Sequence, residues 1–116
     1  SNRRSGTKWM PAVDVMEADD HFELRAELPG VSQEDVKISV EDNVLTISGE
    51  KNVETEDGGH NYHYVERSGG KFERSFQLPK TVETDKTQAA YKEGILTISL
   101  PKVEEAKPKE IEIKVG

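Results

Sequence analysis

Short alternating runs, each cut by a turn signal, constrain this chain more than any other feature. Residues 21–28 read HFELRAEL, with Phe22, Leu24, Ala26 and Leu28 on one side and mostly charged residues on the other. A period of two over eight residues is the pattern of a half-buried strand. Pro29-Gly30 stops it, because proline removes a ladder donor and glycine admits positive φ. Val36, Ile38 and Val40 alternate with Lys37, Ser39 and Glu41; Asp42-Asn43 turns the chain, and residues 44–49 (VLTISG) return as a hairpin. Further short runs are predicted over 12–17, 62–65, 72–77 and 87–91. The most β-prone run is 95–100 (ILTISL), closed by Pro101. Ser32 with Asp35 suggests one capped helical turn, and no longer helix is convincing. Residues 43–47 (NVLTI) echo 94–98 (GILTI), which reads as two similar hairpin returns.

Seven or eight such strands predict an all-β fold, an antiparallel immunoglobulin-like β-sandwich. One domain is expected over residues 11–101, after a loose polar lead-in at 1–10 and before an extension at 102–116. Six of the nine residues from 102 to 110 are charged and one is proline, the composition of an extended linker. Nine extended residues reach about 30 Å. Residues 111–115 (IEIKV) then form a small alternating strand with no sequence neighbour to pair with.

Chemistry of the catalytic kind is missing from the pattern. With no cysteine, disulfides, thiolate metal sites and cysteine nucleophiles are excluded, which fits a reducing cytosol. His60 and His63 are three apart, a metal spacing only on a helix, and on a strand they face opposite ways. No serine sits in a nucleophile elbow, and residues 68–71 (SGGK) lack the flanking residues of a phosphate loop. Sixteen basic against 23 acidic residues, a net charge of −7, argue against a nucleic-acid surface. No apolar run is long enough for a helical membrane span, and no signal-peptide core is visible. The expectations are no enzyme, no metal and no cofactor.

Five segments in order carry a family resemblance. Residues 90–102 (AYKEGILTISLPK) resemble the signature of the α-crystallin domain of small heat-shock proteins. Residues 26–31 (AELPGV) followed by 34–36 (EDV), then 45–50 (LTISGE), then Glu66-Arg67 with 72–79 (FERSFQLP), agree with it. Ile111-Glu112-Ile113 is similar to the family's I-x-I tail. The long excursion before Arg67 resembles the bacterial and plant branch, and only residues 1–10 stand where the family carries a longer apolar arm.

The resemblance implies an ATP-independent holdase chaperone of the cytoplasm, with unfolding client proteins and further copies of itself as partners. It implies a homodimer made by swapping the strand around residues 62–65, with Tyr62, Tyr64, Arg67 and Arg74 at the interface. Higher oligomers would form through the tail. Ile111 and Ile113, two apart, would insert as knobs between strands 36–40 and 87–91, along Ile38, Val40, Ala89 and Tyr91. A co-chaperone or adaptor module with the same sandwich is the alternative, and such modules generally lack the I-x-I tail. A carbohydrate-binding sandwich would need exposed aromatic platforms, whereas the single Trp9 precedes the domain.

Overall fold

The computed structural model describes residues 10–51 and 70–116, and among them seven strands. In chain order these are β1 (Val13–Glu17), β2 (His21–Glu27), β3 (Val36–Glu41), β4 (Val44–Lys51), β5 (Gly70–Gln77), β6 (Gln88–Lys92) and β7 (Ile95–Pro101). They form a four-stranded sheet, ordered β1-β2-β7-β6, and a three-stranded sheet, ordered β3-β4-β5. Every pairing is antiparallel. The chain changes sheet twice, between β2 and β3 and between β5 and β6. Tight hairpins therefore join β3 to β4 and β6 to β7.

Those two hairpins account for the echo in the sequence. Asp42 and Asn43 both take positive φ, at 51° and 62°, and Glu93 and Gly94 do the same at 52° and 79°. Positive φ at both central residues is the turn whose twist matches a two-stranded ribbon. The strands that leave them, β4 and β7, are interior to their sheets and bring Leu45, Ile47, Leu96 and Ile98 into the core. Each of these four is at most 2 % exposed, and full burial of such a side chain stabilises by roughly 1.5–3 kcal/mol.

The rest of the core comes from the same alternation. Leu24, Ala26 and Leu100 join from the four-stranded sheet, Phe72 from β5, and Leu28, Val31, Leu78 and Val82 from the crossovers. No polar or charged residue is buried among the described residues. The core is thus closed by geometry alone, without an internal ion pair to position.

Three local expectations change. The turn at Gln33–Asp35 is 3₁₀, and the Ser32 side chain makes no capping bond. The Asp35 N–H that a capping hydroxyl would take already donates to the Ser32 carbonyl at 2.9 Å. Residues 111–115 form no strand, because β structure needs a neighbouring backbone and none lies beside them in the chain. The segment after Pro101 is not simply extended: Lys102 bridges to Val82, and Glu104–Ala106 forms a 3₁₀ turn.

Candidate docking groove and tail

β3 is an outer strand of the three-stranded sheet, and β6 is an outer strand of the four-stranded one. Both lie on the same side of the sandwich, and one tyrosine holds them there. The Tyr91 hydroxyl on β6 lies 2.9 Å from the Leu28 carbonyl and 2.6 Å from the Val31 carbonyl, to which it donates. Residues 28–31 are the crossover leading into β3. They are turned by Pro29 and by Gly30 at φ 81°, with the Val31 N–H donating to the Leu28 carbonyl at 3.2 Å. The Leu28 N–H in turn donates to Gly94, at 2.7 Å. The β6–β7 hairpin and the entrance to β3 are therefore one rigid corner.

Between these two edges the inward side chains are only partly covered. Val36, Ile38 and Val40 of β3, and Tyr91 of β6, are half-buried against the core. Ala89 pairs with Ile98 in register, so it shares the inward face, yet it is exposed. Ile38, Val40, Ala89 and Tyr91 thus all face inward, on β3 and β6, which are outer strands among the described residues. Outer strands accept another strand unless protected.

Tyr91 is the titratable group of those four. Burial raises its phenol above the ordinary value of 10.0. A raised folded-state value means that the neutral hydroxyl's contribution is fully present below pH 10. It is lost as pH rises through the folded-state value. Tyr91→Phe should cost about 1 kcal/mol at neutral pH and remove this contribution to alkaline destabilisation. Parallel urea titrations of both proteins from pH 7 to pH 11 check this. An undiminished alkaline loss in Tyr91→Phe would place the titrating group elsewhere.

The tail is free of the sandwich. Ile111, Ile113 and Val115 are 85 %, 92 % and 100 % exposed. Residues 111–115 do not close a sheet of their own sandwich. Both sheets are complete without it among the described residues.

At the opposite side, β5 and β1 are the outer strands. Arg74 projects inward from β5, between Phe72 and Phe76. Its guanidinium lies 5.1 Å from the Phe76 ring centre and donates to the Pro11 carbonyl at 3.2 Å. It is half-buried and ties β5 to the lead into β1. Val15 pairs with Leu24 and so shares the inward face, but stays 59 % exposed where the smaller sheet does not cover β1. Tyr62, Tyr64 and Arg67 lie outside the described residues, as does the strand expected around them.

The described residues hold no group of three His, Asp or Glu side chains arranged for a metal ion. No described helix is long and apolar enough to cross a membrane. Sequence reasoning assigned no role to Lys102, which the structure places at the junction of β1, β2 and the tail. Its signal was present as the last residue of the 90–102 motif.

The profile of the Hsp20/alpha crystallin family matches residues 14–116. The chain belongs to that family. It is 43 % identical over 103 residues to small heat shock protein C4 of Rickettsia felis, covering 89 % of this chain and 63 % of that one. It is 47 % identical over 98 residues to a 17.8 kDa class I heat shock protein of Arabidopsis thaliana, covering 84 % and 62 %. The chain thus spans about three-fifths of the length of these two relatives. Among solved structures, heat shock protein 16.0 from Schizosaccharomyces pombe superposes with a TM-score of 0.74 at 34 % identity, covering 93 % of this chain and 99 % of that one. A small heat-shock protein from Xylella fastidiosa gives 0.74 at 32 % identity, covering 92 % and 98 %. Small heat-shock proteins are in general chaperones that form oligomers, and they are not enzymes.

Proposed function

We propose that this small heat-shock protein is an ATP-independent holdase of the cytoplasm. It binds partly unfolded clients and assembles through its own tail. The observation that carries the reading is the pairing of two exposed isoleucines with an apolar strip on β3 and β6. Ile111 and Ile113 lie on one side of an extended tail because they are two apart, while Glu112 faces away. Inserted over Ile38, Val40, Ala89 and Tyr91 of another subunit, they would add a strand to an exposed edge. Two buried isoleucines are worth roughly 3–6 kcal/mol before ordering costs, and this gives a dock that opens and closes. Each opening uncovers the same apolar strip to an unfolding chain.

The swapped strand around residues 62–65 would hold the basic dimer, with Tyr62, Tyr64, Arg67 and Arg74 at its interface. Support for this comes from the neighbouring geometry: among the described residues β1 and β5 are the outer strands on the side of Arg74 and the exposed Val15.

The test is light scattering from a heat-labile client enzyme, with this chain and without nucleotide. Aggregation should fall in proportion to added chain, and ATP should make no difference. Unchanged aggregation at a several-fold molar excess, or suppression only with ATP, would overturn the reading.

A further inference from the structure

We infer that Lys102 is a positioning residue that fixes the root of the tail, so that the docking segment leaves the sandwich from a set point. This deepens the tail-docking reading and rests on it for its consequence in assembly, although the fixed root can be measured by itself.

The chain beyond β7 is held on two sides. The Lys102 N–H donates to the Asp20 carbonyl at 2.9 Å, and its ammonium donates to a Glu17 carboxylate oxygen at 2.8 Å. The same ammonium lies 5.2 Å from the Phe22 ring centre. Only 11 % of the Lys102 side chain is exposed, which is unusual for lysine and places the charge between a carboxylate and a ring face. On the other side, the Glu83 N–H donates to the Pro101 carbonyl at 2.7 Å. The Val103 N–H donates to the Thr81 carbonyl at 2.6 Å. The backbone from 101 to 103 is thus wedged between the β1–β2 turn and residues 81–83.

That wedge carries the 3₁₀ turn with it. The Ala106 and Lys107 N–H groups donate to the carbonyls of Val103 and Glu104, at 2.9 and 3.1 Å. The Lys107 ammonium is bonded to Glu104 at 2.8 Å. Glu104, joined by the carboxylates of Asp20 and Glu83, holds that ammonium above its ordinary value. Only Pro108, Lys109 and Glu110 remain between this held segment and Ile111.

The consequence is a shorter and more directed tether. A free nine-residue linker would spread its end over about 16 Å, whereas three residues spread it over about 10 Å. Effective concentration beyond the optimal span falls roughly as the −3/2 power of linker length. Holding the root therefore raises the local concentration of the knobs about five-fold at docking sites within reach. Lys102 selects which neighbours the tail can serve, without touching them.

The chain has no cysteine, so two can be introduced for spin labels, at the exposed Glu105 and Lys92. The labelled full chain carries Ile111→Ala and Ile113→Ala to prevent docking and is diluted with unlabelled chain. One narrow distance is expected with Lys102 present. Lys102→Met keeps the stem over Phe22 but removes the charge, and should broaden the distribution about two-fold; Lys102→Arg should restore it. Equally broad distributions in both proteins, or equally narrow ones, would overturn the assignment. With the isoleucines intact, Lys102→Met should shift the assembly midpoint towards higher concentration, by up to about five-fold. If the distances respond but neither Lys102→Met nor the double alanine variant alters assembly, the fixed root stands and tail docking falls.

Discussion

Replacing Ile111 and Ile113 together with alanine is expected to leave the melting temperature unchanged and to weaken association beyond the dimer by about ten- to a hundred-fold. The first half follows from exposure: both side chains are almost wholly solvated, and neither contributes to the twelve-residue buried core. The second half follows from area. Two isoleucines entering an apolar strip gain about 3–6 kcal/mol, from which the ordering of a charged tail subtracts. What survives is a few kcal/mol, and each 1.4 kcal/mol is a factor of ten. The backbone bonds that alanine retains are of small net value, because the undocked tail bonds equally well to water. Sedimentation of parent and variant over one concentration series reads the shift. Loss of the fold would show that the tail is part of the core after all. Identical assembly in an oligomerising parent would show that it does not dock.

Gly49→Ala is expected to lower the melting temperature by about 5–15 °C, the counterpart of about 1–3 kcal/mol of overpacking. Gly49 lies on β4 between Val36 of β3 and Phe72 of β5. A Cβ there would come within 2.6 Å of a Phe72 ring carbon and 2.9 Å of the Asp35 carbonyl oxygen. Neither neighbour can give way cheaply. The Phe72 ring is 3 % exposed, and Asp35 is backbone at the entrance to β3. Phe72→Leu in the same chain should recover part of the loss by vacating the ring carbon, but not the part due to Asp35. Thermal melts of the two single variants and the double variant check this. Full additivity would mean that ring and methyl never compete for the same space.

Much of this architecture is legible in the sequence because it is local. A strand with one face on the core must alternate, so 21–28 and 95–100 declare themselves. Asp42-Asn43 and Gly94 mark their turns because positive φ suits few residues. The I-x-I spacing shows which tail side chains share a side. The capped turn at Ser32 was less legible, since a hydroxyl and a carbonyl of one residue compete for one N–H. The roles expected for Ile38, Val40, Ala89 and Tyr91 needed alternation and the family resemblance together.

What the sequence by itself determined is therefore the seven strands β1 to β7, with their inward faces and their turns. Each is a property of residues within about ten positions of one another, where stereochemistry and burial periodicity act directly. Only the tertiary structure decided that β3 and β6 share a side, pinned by a Tyr91 hydroxyl on the carbonyls of Leu28 and Val31. The structure also turned Arg74 onto Phe76 and the Pro11 carbonyl, and laid Lys102 on Glu17 and Phe22, residues 85 and 80 positions away. A charged residue after a proline reads as linker, because charge patterns report solvation. Its partners are set by which turns the folded sheets bring to one end, and no local pattern encodes that.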